Sequence, residues 1–216
     1  EAAKKHSEIT KTLEANFKGT VNVLNAAKDA GVARVIFASS SAVYGDQPIP
    51  VSETTPCTPG SPYGEQKLQS EKACARFAAS EGLCTAALRL FNVYGEGQNP
   101  AGGALIPSFI EHAKKGEPLL VYGDGTQLRD FIHVDDVARA FILAAEASEE
   151  RVKEPINIGT GRGVSVNEIA KLIGAPVTYK PAQVGIKDSV ADVSRAKERL
   201  NFEATVTIEQ GIRKLL

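Results

Sequence analysis

The 216-residue chain carries 25 Lys and Arg against 26 Asp and Glu, a formal net charge of −1, and is 43% apolar. That balance, with no like-charge block, removes the electrostatic basis for binding nucleic acid or an anionic membrane, while the apolar share suits a globular protein with a real core. Cys57, Cys74 and Cys84 have neither disulfide-framework nor zinc-ligand spacing, and no apolar run reaches the roughly eighteen residues of a membrane span, so reduced thiols in a cytoplasmic protein are expected.

Taken in order, the chain alternates helix and strand signals. Ser7 to Ala30 carries Ile9, Leu13, Phe17, Val21, Leu24 and Ala27 at helical spacing, with Asn16, a poor helix former, in its middle. Arg34 to Ser41 is an apolar run ending in the hydroxyls of Ser39, Ser40 and Ser41. It reads as a buried parallel strand that delivers small polar groups at its carboxyl end, where ligands sit in open α/β sheets. A proline-containing ordered loop follows over 46–60, then a helix from Tyr63 to about Glu81 and a second buried strand over Leu83 to Leu90. Strand, helix and strand of these lengths imply a parallel sheet.

At Phe91 and Asn92 the chain leaves that sheet, and glycine and proline dominate to Gly103. The pattern then predicts a helix over Leu105 to Lys115, a strand over Leu119 to Val121 and a turn at Tyr122 to Gly125. Beyond it come an extended segment over Arg129 to His133 and a helix capped by Asp135 or Asp136 that runs through about Ala147. His133, in an apolar setting, reads as a structural group. The strand ending at Ile158 is followed by Gly159, Gly161 and Gly163 and by a helix over Val166 to Ile173, the context of a dinucleotide fingerprint. That reading is set aside: the third glycine is one place early, and the next apolar run, Pro176 to Tyr179, ends in Lys180 rather than an acidic residue. Lys180 to Asp192 is expected to be extended, and Thr207 to Leu216 to be the last helix.

The chemistry centres on Tyr63 and Lys67. Four residues apart on a helix, their side chains share a face. An ammonium near a phenol favours the phenolate by Coulomb attraction, which makes Tyr63 a candidate general base. A serine at the end of the preceding strand could bridge a substrate and that phenol.

Four stretches then carry a resemblance: Ser-Ser-Ser-Ala-Val-Tyr-Gly at 39–45, Ser-Pro-Tyr-Gly-x-x-Lys at 61–67, Arg-Leu-Phe-Asn-Val-Tyr-Gly at 89–95 and Gly-Asp-Gly-Thr-Gln-x-Arg-Asp-Phe-Ile-His-Val at 123–134. In this order and over nearly the whole chain they resemble the extended short-chain dehydrogenase/reductase family, nearest to its sugar-nucleotide 4-epimerases. The resemblance implies an α/β fold: the C-terminal part of a Rossmann-type doubly wound parallel sheet, plus a small α/β substrate-binding domain. Residues 1–92 would form a partial NAD-binding domain on which 134–160 pack back, with 93–133 and 161–216 binding substrate. Relative to the family, roughly the first third, with its glycine-rich pyrophosphate turn, is missing.

The resemblance also assigns roles. NAD is the implied cofactor and a nucleotide-diphosphate sugar, UDP-linked by preference, the substrate. Tyr63 would take the proton of the 4-hydroxyl, Lys67 would support Tyr63 and hold the nicotinamide ribose, and Ser40 would bridge sugar and Tyr63, with Ser39 and Ser41 as register alternatives. Asn16, Ser39 and Phe91 would join Tyr63 and Lys67 around NAD, while Asn92, Leu105, Val121, Tyr122 and Arg129 would bind the nucleotide sugar; Arg129 offers a fork suited to diphosphate, unless Asp130 or Asp124 holds it. Ser41 and Ala42 stand where dehydratase relatives carry Asp-Glu, and Ala42 where decarboxylating relatives carry a carboxylate, which favours epimerisation. The sequence departs from the family at Gly95 to Gln98 and at Lys180-Pro181-Ala182-Gln183. A homodimer through helices 7–30 and 62–81 is expected, with Leu68, Ala75 and Ala79 as contacts.

Overall fold

A wide π-type turn at Glu14–Lys18 leads into α1 (Gly19–Asp29), β1 (Arg34–Ser40) and one 3-10 turn at Ser41–Val43. The computed structural model describes residues 14–182 and 185–216; residues 7–13 of the first expected helix, and Gln183, lie outside the described residues. The next helix, α2 (Pro62–Glu81), has both ends written locally. Ser61 caps it by accepting the Gly64 amide at 3.1 Å, Pro62 occupies the first position, where no N–H is needed, and Gly82 ends it in the left-handed region at φ 68°. There follow β2 (Cys84–Leu90), β3 (Asn92–Tyr94), α3 (Leu105–Lys114), β4 (Leu119–Tyr122), β5 (Leu128–Arg129), β6 (Phe131–His133) and α4 (Val134–Glu146). The short α5 (Glu149–Val152), β7 (Ile156–Ile158), β8 (Val164–Ser165), α6 (Val166–Ile173), β9 (Val177–Lys180), α7 (Ser194–Leu200) and α8 (Ile208–Leu215) complete the chain.

The expected parallel sheet is present in the order β1-β2-β7. Strand β2 lies at its centre, and its alternation distributes the core. Cys84, Ala86 and Leu88 face α4, α5 and α7 in one cluster with Ile156 and Ile158, whereas Thr85 and Arg89 bond to Cys74 and Glu71 of α2. On that second face Leu24 and Ala27 of α1 meet Ala73, Cys74 and Phe77 of α2, so the sheet is covered by helices on both sides. A separate core gathers Tyr94, Ile106, Phe109, Leu119, Val121, Ile169 and Ile212 beneath the parallel pair β4–β9.

The structure adds detail to these expectations and corrects the capping of one helix. Arg129 to His133 is extended, as expected, and divides at Asp130 into β5, antiparallel to β8, and β6, parallel to β3. Helix α4 is capped by His133, whose Nδ1 accepts the Asp135 amide at 3.2 Å, rather than by Asp135 or Asp136. Asp136 instead accepts the amides of Thr205 and Val206, tying α4 to the approach of α8. Helix α7 falls inside the segment 161–216 assigned to the substrate domain, yet its Ala196 and Leu200, with Phe202, belong to the core beneath β2 and β7.

Candidate active site

The end of β1 and the start of α2 meet closely. Ser40 turns the chain by accepting the Ala42 amide at 3.2 Å, and the Ala42 carbonyl then lies against Gly64, where an added Cβ would stand 2.4 Å from its oxygen. Only glycine lets the helix start approach that turn, one residue from Tyr63. Tyr63 is 43% exposed, open to a ligand. Lys67, one turn on, donates from Nζ to the Ala38 carbonyl at 2.7 Å and lies 5.6 Å from the Tyr63 ring centroid and 4.9 Å from that of Phe37. Partial burial pulls the Lys67 ammonium below the usual lysine range. One of its three N–H donors anchors it to the mouth of β1, leaving two for a ligand. Ser40, Tyr63 and Lys67 are therefore gathered at one sheet exit.

Ser39 departs from its expected role. It is buried, and its hydroxyl donates to Glu71 rather than standing free at the strand end. Asn16 sits in the π-type turn and donates from Nδ2 to Gln66 at 2.9 Å, one residue from Lys67, so it is not a plain exposed helix asparagine. Phe91 is buried among Val43, Tyr44 and Val51, with its amide donating to Ile158.

On the second lobe, Asn92 directs both its backbone and its side-chain N–H to the Asp130 carbonyl, leaving its amide oxygen for a ligand. Leu105 opens α3 half-buried, and Tyr122 is 42% exposed at the end of β4. Val121 is fully buried in the second core, which corrects its expected role: no ligand reaches its side chain. Arg129 makes no ion pair with Asp130 or Asp124. Its guanidinium donates to the carbonyls of Leu128, Ile186 and Lys187 at 2.7 to 2.8 Å, and burial lowers its pKa while Asp188 and Asp46 oppose the shift. Asp130 is fully buried and accepts from Thr160 Oγ1 (2.6 Å) and from the amides of Thr160 (2.8 Å), Gly161 (2.9 Å) and Ala191 (3.2 Å). The glycine cluster after β7 thus wraps a carboxylate of its own chain, in keeping with the rejection of a dinucleotide turn there.

Residues 2–159 match the family model described as the NAD dependent epimerase/dehydratase family. The chain belongs to that family. It is similar to the UDP-glucuronate 4-epimerase of Thermodesulfobacterium geofontis, 32% identical over 211 residues that cover 94% of this chain and 64% of the relative. Its backbone is similar to that of the UDP-glucose 4-epimerase of Thermotoga maritima, solved with UDP-glucose, at a TM-score of 0.90 and 37% identity over 98% of this chain and 71% of that one. It is also similar to the UDP-N-acetylglucosamine 4-epimerase of Methanobrevibacter ruminantium in complex with UDP-N-acetylmuramic acid (TM-score 0.88, 35% identity, 94% of this chain and 67% of that one).

The family is NAD dependent, and the residues of this chain fit a nicotinamide in part. The open phenol of Tyr63 and the two remaining donors of Lys67 suit a ribose and a reacting hydroxyl. The amides of Thr160 and Gly161 in the glycine turn after β7 are taken by Asp130 and are not free for a pyrophosphate. Gly64, Asp130 and the buried pair Glu71 and Arg89 were not singled out in the sequence. Arg89 had a signal: a charge inside the apolar run Thr85 to Leu90 requires a buried partner. A cavity of about 340 Å³ in the second lobe, lined by Glu96, Gln98, Pro107, Ile110 and Leu215 among others, includes no residue of either set.

Proposed function

We propose that this chain is the catalytic and sugar-nucleotide-binding part of an NAD-dependent epimerase that inverts C4 of a UDP-linked sugar through a transient 4-keto sugar. The observation that carries this reading is the anchoring of Lys67 to the Ala38 carbonyl, beside the exposed Tyr63 and the turn that begins at Ser40. Tyr63 removes the proton from the sugar 4-hydroxyl and later returns one; Lys67 stabilises the phenolate and holds the nicotinamide ribose; Ser40 bridges the sugar oxygen and Tyr63. NAD, when bound, would supply the reversible hydride acceptance at C4 that the inversion needs. Asn16 and Phe91 would complete the cofactor side, the buried Phe91 through its backbone, while Asn92, Leu105, Tyr122 and Arg129 would bind the nucleotide sugar, with Val121 contributing through its peptide alone. UDP is the preferred nucleotide because it appears in the names of the relatives above.

The epimerase reading is preferred over dehydratase or decarboxylase chemistry because positions 41 and 42 bring no carboxylate to the turn after β1; a reductase would use the same Tyr63 and Lys67 and is separated by the cofactor balance. The test is to supply UDP-glucose, UDP-glucuronate and UDP-N-acetylglucosamine in turn to the NAD-loaded enzyme and follow the sugar by proton NMR. Appearance of the C4 epimer without net consumption of cofactor is expected. Loss of carboxylate, loss of water or net reduction of NAD would replace the reading. Tyr63→Phe should lower turnover by about 10²–10⁴-fold while bound NAD is retained.

The same reading includes a homodimer through α1 and α2, whose exposed Val23, Ala75 and Ala79 lie on neighbouring helices; Leu68 is not among the contacts, since it packs inward against Val43 and Val51. Light scattering of the enzyme tests it, and a monomer ends it. No helix among the described residues is long and apolar enough to cross a membrane. A cytoplasmic location, with Cys57, Cys74 and Cys84 as free thiols, belongs to the same proposal.

A further inference from the structure

A buried ion pair lies directly behind the candidate catalytic set. Glu71 is one helical turn beyond Lys67 and two beyond Tyr63, so the phenol, ammonium and carboxylate follow one another along one face of α2. Arg89 stands on the central strand β2, where its register partner on β1 is Ser39. Its guanidinium takes the carboxylate as a fork, with Nε donating to Oε1 at 3.0 Å and Nη2 to Oε2 at 2.7 Å. Both side chains are about 6% exposed. Ser39 donates its hydroxyl to the same Oε1, and the remaining arm of Arg89 donates to Tyr44 Oη at 3.0 Å. Tyr44, directly after the 41–43 turn, passes the chain on to Asn157 Oδ1 of β7 at 2.6 Å, and Asn157 holds the Val51 carbonyl at 2.9 Å.

We propose that Glu71 and Arg89 are positioning residues that act through Ser39 and Tyr44, fixing the end of β1 and its turn against α2 so that Ser40, Tyr63 and Lys67 converge. This rests on the catalytic reading above. Apolar packing of the same volume would hold helix and sheet together with less desolvation, but it would not set the rotation of the helix or the register of the strand end. A two-pronged ion pair does both, because its hydrogen bonds form at one distance and one angle. The position of the pair supports this use. It bonds to the residue immediately before Ser40 and to the residue immediately after the turn that Ser40 starts. The apolar half of the α1–α2 layer, around Leu24, Ala27 and Phe77, lies elsewhere and supplies the adhesion.

The test is made on the NAD-loaded enzyme with a sugar nucleotide that the wild type turns over. Two quantities are read: kcat against KM in steady state, and the near-ultraviolet absorbance of reduced nicotinamide in a single turnover, which follows hydride transfer alone. Ser39→Ala removes one hydroxyl and no core volume. Its kcat and single-turnover rate are expected to fall about tenfold, with KM, bound NAD and Tm little changed. Arg89→Lys keeps the charge but loses the fork, and a fall of about a hundredfold in the hydride step per NAD-loaded site is expected. A role confined to stability would lower Tm and the yield of folded protein while leaving the rate per loaded site untouched. That result, or a Ser39→Ala enzyme as fast as wild type, would overturn the proposal. Failure of the wild type itself to reduce bound NAD with any UDP-sugar would sink the catalytic reading and the clamp with it; an active wild type beside unaffected variants removes the clamp alone.

Discussion

The carbonyl oxygen of Ala42 lies 2.4 Å from where a Cβ on Gly64 would be, so the turn after β1 and the first turn of α2 are in backbone contact. No flexible side chain stands between them to yield. Gly64→Ala should push the helix start away from the turn even though alanine is the better helix former by about 1 kcal/mol. Displacements of this kind cost on the order of 10²-fold in rate. A kcat reduced to that degree in a protein with an unchanged circular dichroism spectrum is expected, and wild-type kcat in the alanine variant would contradict the contact.

Lys67 supplies a pH signature. Burial lowers its pKa, so the charged form is lost as pH rises through a value below that of an ordinary lysine, and the alkaline limb of kcat should lie correspondingly low. Lys67→Arg replaces the ammonium with a group that stays charged above about pH 12. The variant should be slower, since a guanidinium does not fit the Ala38 carbonyl in the same way, but its alkaline limb should move upward. A pH–rate profile of both proteins decides this, and an unmoved limb would assign it to another group.

Asp130 joins the two lobes by accepting from Thr160, Gly161 and Ala191 while its own carbonyl takes Asn92. Asp130→Ala leaves the buried Ala191 amide without a partner and removes that of the part-buried Thr160 and Gly161 amides, at a cost of about 1–3 kcal/mol. Urea denaturation measures that loss. Because Arg129 is the adjacent residue, KM for the nucleotide sugar should rise in the same variant at temperatures where it remains folded.

Tyr44 gives the protein an alkaline weakness. Burial pushes its phenol up to about 12, against the opposing pull of Arg89. A folded-state pKa raised above the unfolded value of about 10 contributes stability that is full below that value and is lost as pH rises through it toward about 12. Tyr94, also buried, is raised as well. Two of the five tyrosines should therefore resist ionisation in an ultraviolet titration until the protein unfolds, and Tm should fall steeply over the same interval. Ionisation of all five ahead of unfolding would show that these two rings are reached by water in the native state.

The parts of the site that were legible in the sequence are those set by neighbours in the chain. Ser61 and Pro62 start α2, Gly82 ends it, and the spacing of Tyr63 and Lys67 places them on one face whatever surrounds the helix. The apolar runs at 34–40 and 84–90 read as strands of a covered parallel sheet, and they pair in parallel along their whole length. Those features hold irrespective of what the rest of the chain brings. The direction of Ser39, the burial of Val121 and the seat of Asp130 are of another kind. Each depends on a group many positions away, Glu71 for Ser39 and Thr160 with Gly161 for Asp130, or on which face of β4 meets α6. A hydroxyl or a carboxylate carries no mark of its partner until folding places one within 3 Å, and that proximity is what the tertiary structure alone decided.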